Sequence, residues 1–198
     1  MERLQKIEAV LEQQKNKMEE LSIENKNLKV KLSDLEGRLN QAEQNNLKNT
    51  VEVRGIPEKQ GETVVGTILS IGSGLGVKLS PDDLDHALRL RAKQEGAPGP
   101  IIVRFVRQTM RDEPVRQRRA KRDFSTRHLG WDENDAFCVY LSKAMTPANK
   151  HLDWLARQKQ KVAKIKYVWF SGGRVRCRKS DGYPTVTTGK TSDLDVFI

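Results

Sequence analysis

The sequence predicts an α+β protein in three parts. These are a long N-terminal coiled-coil helix over residues 1–47, a βαββαβ domain over 48–143, and a small C-terminal α+β domain with a β-hairpin over 144–198. Three observations lead to this prediction. The first segment keeps a seven-residue apolar repeat, strand-like alternation begins near residue 51, and a Gly-Gly pair later separates two short alternating runs.

The first segment keeps its heptad repeat without a slip. Ten of its thirteen a and d positions are apolar, and a strict seven-residue period is typical of supercoiled helices. In a parallel pair the facing g and e residues, such as Arg3–Glu8 and Glu24–Lys29, are of opposite charge or neutral, which favours identical chains in register. Leucine at both a and d leaves homodimer and homotrimer open. The predicted oligomerisation residues are Leu4, Ile7, Leu11, Met18, Leu21, Asn25, Leu28, Leu32, Leu35 and Leu39.

The middle segment alternates between strand-like and helix-like patterns. We predict strands over residues 51–56, 86–91, 100–107 and 136–141, and helices over 62–75 and 110–126. The order βαββαβ is typical of a split-βαβ sheet with two helices on one face. The glycines between positions 72 and 76 lack the Lys-Ser/Thr of a phosphate loop and follow a helix, so we interpret them as a helix end.

The last segment begins with a helix and continues into a hairpin. Thr146 is the predicted N-cap and Pro147 the first residue of a helix that runs to about Lys164, with Leu152, Leu155, Ala156 and Ala163 on its apolar side. Gly172-Gly173 predicts a tight turn, followed by one more strand and a terminal turn over 185–198. In that register Val168, Phe170, Val175 and Cys177 face the core, whereas the other face presents Tyr167, Trp169, Arg174, Arg176 and Arg178.

Positive charge is concentrated outside the predicted coiled coil. The net charge is −1 for residues 1–47 and +11 for the rest of the chain, and such a charge attracts polyanions. Rings beside guanidinium groups on the hairpin suit stacked bases and phosphates, although cation–π packing on a solvated face would give the same pattern. A second basic cluster, which could equally be a solvated helix face, consists of Arg104, Arg107, Arg111, Arg116, Arg118, Arg119, Lys121 and Arg122.

The sequence offers little for catalysis or for membrane insertion. His86, His128 and His151 are isolated and form no metal-ligand spacing with Cys138 and Cys177. We therefore expect a protein that is not an enzyme and that has no metal, cofactor or small-molecule substrate. No apolar run approaches the roughly 20 residues of a membrane span, and the paucity of cysteines favours a reducing compartment. We expect the protein in the cytoplasm, the nucleus or both.

The order of motifs resembles that of two related protein families. After the coiled coil come Val51–Glu58 (VEVRGIPE), Pro100–Phe105 (PIIVRF) and Val168–Lys179 (VWFSGGRVRCRK). This order resembles the first-open-reading-frame protein of LINE-type non-LTR retrotransposons, and the baculovirus few-polyhedra (FP) protein with its insect relatives. The resemblance implies an RNA-recognition-motif-like (RRM-like) middle domain and a homo-oligomer that binds single-stranded nucleic acid. In the retrotransposon group that role is RNA packaging with nucleic-acid chaperone activity.

The resemblance also implies roles for the basic and aromatic residues. Arg104, Arg107, the 116–122 cluster and the hairpin arginines would contact the phosphate backbone, and Tyr167 and Trp169 would stack on bases. An ordinary RRM has aromatic side chains in the middle of its sheet, whereas the third strand here has only Phe105 and the first strand has none. We therefore expect binding of single-stranded nucleic acid, RNA favoured, with low sequence preference. The alternative is a viral-type structural or assembly protein that acts through protein–protein contacts.

Overall fold

The structure is a computed structural model that describes residues 2–59, 61–92, 96–131 and 136–197. It is a mixed α+β protein with a long N-terminal helix followed by two antiparallel sheets, which confirms the predicted class. The chain divides into two compact units, Met1–Ala42 and Glu43–Ile198. Among the described residues, no helix combines the length and the apolar character needed to cross a membrane.

The first unit consists of helix α1, which spans Glu2–Asn46 and ends inside the second unit. The predicted long helix is therefore confirmed. Its apolar a and d side chains, from Leu4 to Leu39, are exposed in the single chain. A row of exposed apolar side chains along 45 helical residues is typical of a helix that associates with another surface. The association itself stays a prediction.

The second unit begins with a four-stranded antiparallel sheet. Strands β1 (Thr50–Arg54), β2 (Leu84–Arg89), β3 (Ile101–Phe105) and β4 (Tyr140–Lys143) are arranged in the order β2-β3-β1-β4. Helices α2 (Val64–Gly74) and α3 (Gln108–Ala120) contribute Ile71 and Val115 to the core, which they share with Val51, Val53 and Val103 of the central strands. Because side chains alternate along a strand, Glu52 and Arg104 point to the opposite face, which we call the open face of the sheet.

The glycine-rich end of α2 is a helix terminus, as predicted. Gly76 has a φ of +73°, a conformation that glycine adopts without steric cost. Its N–H donates to the carbonyl of Ser73 at 2.9 Å, and the N–H of Val77 donates to that of Gly72 at 2.8 Å. These two bonds form a Schellman motif, which satisfies carbonyl groups that the helix leaves without partners.

The predicted bounds of α3 and β4 differ from the structure by two residues at one end and by four or more at the other. The α3 prediction ran to residue 126, but the helix ends at Ala120, and fully buried Phe124 follows a turn at residues 122–123. The β4 prediction began at residue 136, but Val139 donates to the carbonyl of Phe124 at 3.1 Å and Thr126 donates to that of Phe137 at 2.9 Å. The segment before Tyr140 therefore pairs with the chain after α3, so it does not extend β4 along β1.

The C-terminal part has its own core and a three-stranded sheet. It contains α4 (Pro147–Lys161) and strands β5 (Tyr167–Ser171), β6 (Arg174–Arg178) and β7 (Val186–Thr188), followed by a 3-10 helix over Thr191–Phe197. The core comprises Leu152, Ala156, Ile165, Val175, Cys177, Leu194 and Phe197. Helix α4 ends before the predicted Lys164. Ala163 lies beyond it, exposed and with a φ of 58°, so its assignment to the apolar side was wrong.

Candidate nucleic-acid interface

The hairpin has the register that its Gly-Gly turn predicts. Tyr167 pairs with Arg178, Trp169 with Arg176, and Ser171 with Arg174. The alternate residues Val175 and Cys177 are fully buried, so the paired rings and guanidinium groups occupy the other face of these strands. The structure thus brings the five predicted hairpin residues together on one face of the sheet, with Arg174 exposed and the other four partly exposed.

The ring of Tyr167 lies in a small polar network at one end of this face. The guanidinium carbon of Arg178 is 4.7 Å from the ring centroid, and the phenolic hydroxyl donates a hydrogen bond of 2.7 Å to Asp181. Lys166 forms an ion pair with the same carboxylate. The hydrogen bonds from Lys166 and Tyr167 lower the pKa of Asp181. Asp181 therefore holds the ring and neutralises one cation beside it.

Arg176 and Arg178 retain unused donors. The Nε atom of each is buried and has no hydrogen-bond partner within the described part of the chain. Each guanidinium also carries terminal N–H groups in a planar fork, whose geometry suits two-point contact with a phosphate. Together with the ring of Trp169, which pairs with Arg176 across the strands, they can contact both the backbone and the bases of a single strand.

A buried hydrogen-bond network fixes the hairpin turn to the rest of the second unit. The side-chain amide of Asn149, at the start of α4, donates to the carbonyl of Gly173 at 3.1 Å and to Gln44 at 2.8 Å. Gln44 also donates to the carbonyl of Ala144 at 3.0 Å and accepts from the Thr146 N–H at 3.1 Å. The end of α1, the chain after β4, the start of α4 and the hairpin turn therefore meet at one point.

The open face of the four-stranded sheet carries paired charges. Arg104 donates to the carbonyl of Asn46 at 2.9 Å and lies 3.8 Å from Asp85. Glu52, near the centre of this face, accepts hydrogen bonds of 2.6 Å from Lys150 and 2.7 Å from Arg54. Burial acts to raise the pKa of Glu52, but these hydrogen bonds outweigh it and hold the pKa below its ordinary value.

An aromatic residue that the sequence analysis missed lies at the edge of the open face. Tyr140 is 57% exposed and pairs with Arg54 across β4 and β1, and the guanidinium carbon of Arg118 is 5.3 Å from its ring centroid. The signal was the alternation itself: its neighbour Leu141 packs on the core, which puts Tyr140 on the opposite face.

Two predicted contact residues on α3 are buried. Arg111 is 5% exposed and lies 3.0 Å from Asp112, and burial lowers the pKa of Arg111. Arg118 is 9% exposed and donates to the carbonyl groups of Val139 and Lys121. Arg111 is buried beside Asp112 and Arg118 is hydrogen-bonded inside the protein, so neither belongs to the candidate interface. The sequence did contain a signal of this burial. Arg111 and Arg118 lie at i and i+7 around the core residue Val115 at i+4, and residues at this spacing share one helix face.

The remaining cations of the second cluster lie on two surfaces. Arg107, Arg119 and Arg122 are exposed, whereas Arg116 is bound by both carboxylate oxygens of Glu113 at 2.6 and 2.7 Å. The Lys121 ammonium donates to the carbonyl of Gly74 at 3.2 Å. Those on α3 lie on the helix side of the sheet, whereas Arg104 projects from the open face. The structure therefore does not gather this cluster into a single site.

The described residues contain no group of three or more His, Cys, Asp or Glu side chains arranged to hold a metal ion.

In comparison with known proteins, residues 146–197 match the family model for baculovirus FP protein domain 2. No curated protein matches the chain. The match covers α4, the hairpin, β7 and the terminal 3-10 helix. The C-terminal part of this chain is therefore similar to the second domain of the baculovirus FP protein, and the resemblance to the retrotransposon protein stays a prediction.

Proposed function

We propose that this protein is a homo-oligomer that binds and packages single-stranded nucleic acid, RNA favoured, and that it is not an enzyme. The hairpin face carries the proposal, because it joins Tyr167 and Trp169 to Arg174, Arg176 and Arg178 on a surface that is partly open to solvent. Rings that stack on bases and cations that contact phosphates are the usual elements of single-strand binding.

We further propose that the four-stranded sheet is an RRM-like domain with little capacity to read sequence. Its strand order, β2-β3-β1-β4 with helices on one face, supports the assignment because a split-βαβ motif has this arrangement. The centre of its open face holds the carboxylate of Glu52 where an ordinary RRM has a stacking ring. Glu52 is paired there with Lys150 and Arg54, so these two cations are already engaged and less available to phosphate. The exposed ring of Tyr140 lies at the edge of the sheet, which favours low sequence preference.

Oligomerisation through α1 would raise the affinity of this modest surface. The exposed a and d residues, such as Leu21 and Leu28, support a parallel homodimer or homotrimer. Several binding surfaces on one assembly act on the same strand at a high effective concentration, so that the assembly binds long ligands more tightly than short ones. We propose the cytoplasm or the nucleus as the place of action.

A second candidate function is that of a structural or assembly protein. The match of residues 146–197 to baculovirus FP protein domain 2 is compatible with a viral role of this type. In that case the basic surfaces would contact acidic partner proteins, and α1 would organise the assembly. The two proposals differ in whether single-stranded RNA binds, and in how its affinity depends on salt.

The test is a salt titration of binding to labelled poly(U) by the full chain and by two double variants. Arg176→Ala with Arg178→Ala removes two proposed phosphate contacts, so the negative slope of log affinity against log salt should become less steep by about 1.4. Lys6→Ala with Lys26→Ala removes the same charge from outward positions of α1 and should leave the slope unchanged. Equal effects of the two double variants, or no binding by the wild type, would contradict the proposed function.

A further inference from the structure

The exposed side of α4 carries a large aromatic residue that the hairpin face does not include. Trp154 is 55% exposed, and its ring stacks with that of His151, with centroids 6.1 Å apart and planes 18° apart. The core of the C-terminal part takes Leu152 and Ala156 from the opposite side of the helix. The indole therefore does not contribute to the core, and its flat face is supported by a second ring.

The neighbours of Trp154 on this side of the helix are cations. Lys150, Trp154, Arg157 and Lys161 follow one another at intervals of four, three and four residues, so they form a single stripe along the helix. Asp153 is the one acidic residue in the α4 sequence, and it forms an ion pair of 2.7 Å with Arg157. The stripe consequently has a net positive charge with an exposed ring in its middle.

The chemistry of the stripe favours a polyanion with flat rings over a protein partner. An amphipathic helix or an apolar peptide needs several adjacent apolar side chains in its groove, whereas Trp154 is flanked along the stripe by Lys150, Arg157 and Lys161. A single strand of nucleic acid offers both a base for the ring and phosphates for the cations. Charge complementarity thus identifies the ligand class.

The stripe begins where the two other surfaces meet. Lys150, at its first position, binds Glu52 on the open face of the sheet at 2.6 Å. The preceding residue, Asn149, binds the carbonyl of Gly173 in the hairpin turn at 3.1 Å. The first turn of α4 is therefore in contact with both the sheet and the hairpin.

We propose that the α4 stripe is a second binding surface for single-stranded nucleic acid. A base stacks on Trp154, and phosphates contact Arg157 and Lys161, while Lys150 mainly fixes the start of the stripe to the sheet. The inference rests on the proposed function and adds to it a defined base-stacking position outside the hairpin.

The experiment compares poly(U) binding by the full-length wild type with that of Trp154→Ala and Trp154→Phe. A base stacked on a ring contributes affinity without neutralising a phosphate. Trp154→Ala should therefore weaken binding by about tenfold at an unchanged salt slope. Trp154→Phe keeps a ring and should recover most of the affinity. Val162→Ala removes another exposed apolar side chain just beyond α4 and should bind as the wild type does.

A second variant tests the cations of the stripe. Lys161→Ala should make the negative salt slope less steep by about 0.7, the value for one phosphate contact. If the wild type binds poly(U) and Trp154→Ala binds equally well, the α4 surface is wrong and the proposed function stands. If the wild type itself does not bind, both are wrong. Circular dichroism spectra that match the wild type will confirm that each variant is folded.

Discussion

The ammonium group of Lys150 lies 2.6 Å from a carboxylate oxygen of Glu52. The contact joins α4 of the C-terminal part to β1 of the four-stranded sheet, across 98 residues of sequence. Glu52 is only 4% exposed, so on folding its carboxylate loses hydrogen bonds to water and gains hydrogen bonds from Lys150 and Arg54. A buried carboxylate in a chain with a net charge of +10 therefore serves as an attachment point between two parts of the fold.

We expect Lys150→Ala to destabilise the protein at neutral pH and to do so less in acid. The variant leaves Glu52 with Arg54 alone, and because Lys150 is partly exposed the loss in free energy of unfolding should be about 1–2 kcal/mol. Since the folded-state pKa of Glu52 is lowered, its contribution is present above the ordinary glutamate pKa of about 4.3 and disappears as the pH falls through the lowered value.

The measurement is urea unfolding at a fixed protein concentration, at neutral pH and again at a pH below the lowered pKa of Glu52. Lys161→Ala makes the same charge change on the exposed side of α4 and serves as the control. An equal destabilisation by Lys150→Ala at both pH values would mean that its effect does not depend on the charge of Glu52.

Arg118 and Arg119 are adjacent in sequence but should respond very differently to substitution. Arg118→Ala removes the side-chain donor to the carbonyl of Val139 and leaves the carbonyl of Lys121 with the Phe124 N–H at 3.3 Å. We therefore expect a loss of about 2–3 kcal/mol in the free energy of unfolding. Arg119 is exposed, and Arg119→Ala should change this free energy by less than about 0.5 kcal/mol. Thermal unfolding followed by circular dichroism distinguishes them, and comparable losses would contradict the buried position of Arg118.

Local spacing predicted the parts of the fold that depend on neighbouring residues. The heptads of α1 and the register of the hairpin follow from repeats and from the Gly172-Gly173 turn, and both the helix and the register have the predicted form. The Schellman end of α2 belongs to the same class, because Gly76 lies within four residues of the carbonyls that the motif satisfies.

Contacts between distant segments were not accessible in this way. The start of β4 depends on Phe124 and Thr126, which pair with the segment that the pattern assigned to the strand. The basic run over 116–122 showed where charge accumulates. Which of its arginines is buried depends on which side of α3 faces the segment that contains Val139. Similarly, nothing near Glu52 in sequence indicates Lys150 as its partner.

Asp181 should weaken nucleic-acid binding by the hairpin face. Its carboxylate forms an ion pair with Lys166 and accepts a hydrogen bond from the hydroxyl of Tyr167. The same negative charge repels phosphates. We expect Asp181→Asn to bind poly(U) about threefold to fivefold more tightly, with a salt slope steeper by about 0.7 if Lys166 gains a phosphate contact. Asp195→Asn, an exposed position on the terminal 3-10 helix, makes the same charge change. Equal gains in the two variants would indicate a general charge effect.

The two free cysteines should differ in reactivity. Burial, with a further contribution from Asp153, raises the pKa of Cys177 to about 11, whereas Cys138 is exposed. Because the thiolate is the reactive species, we expect a disulfide reagent such as DTNB to modify Cys138 rapidly in the native protein and Cys177 only after unfolding. Cys138→Ser should abolish the fast reaction. A fast phase that persists in this variant would place Cys177 within reach of the reagent.

The exposed apolar face of α1 should determine the oligomeric state. Leu21 and Leu28 occupy successive d positions and are exposed in the single chain. Replacing both with lysine puts charge where the a and d residues of neighbouring helices would meet, so sedimentation equilibrium at micromolar concentration should give a monomer. The monomer should bind short poly(U) like the wild type and long poly(U) more weakly, because the linked surfaces are lost.

The matched control changes the opposite side of the same helix. Ile23 and Val30 are also exposed apolar residues, but they occupy outward f positions of the heptad. Ile23→Lys with Val30→Lys adds the same charge and removes apolar side chains of similar size, and this double variant should keep the wild-type mass. If both double variants sediment like the wild type, the chains associate through some other surface, and the heptad face that defines the parallel coiled coil is wrong.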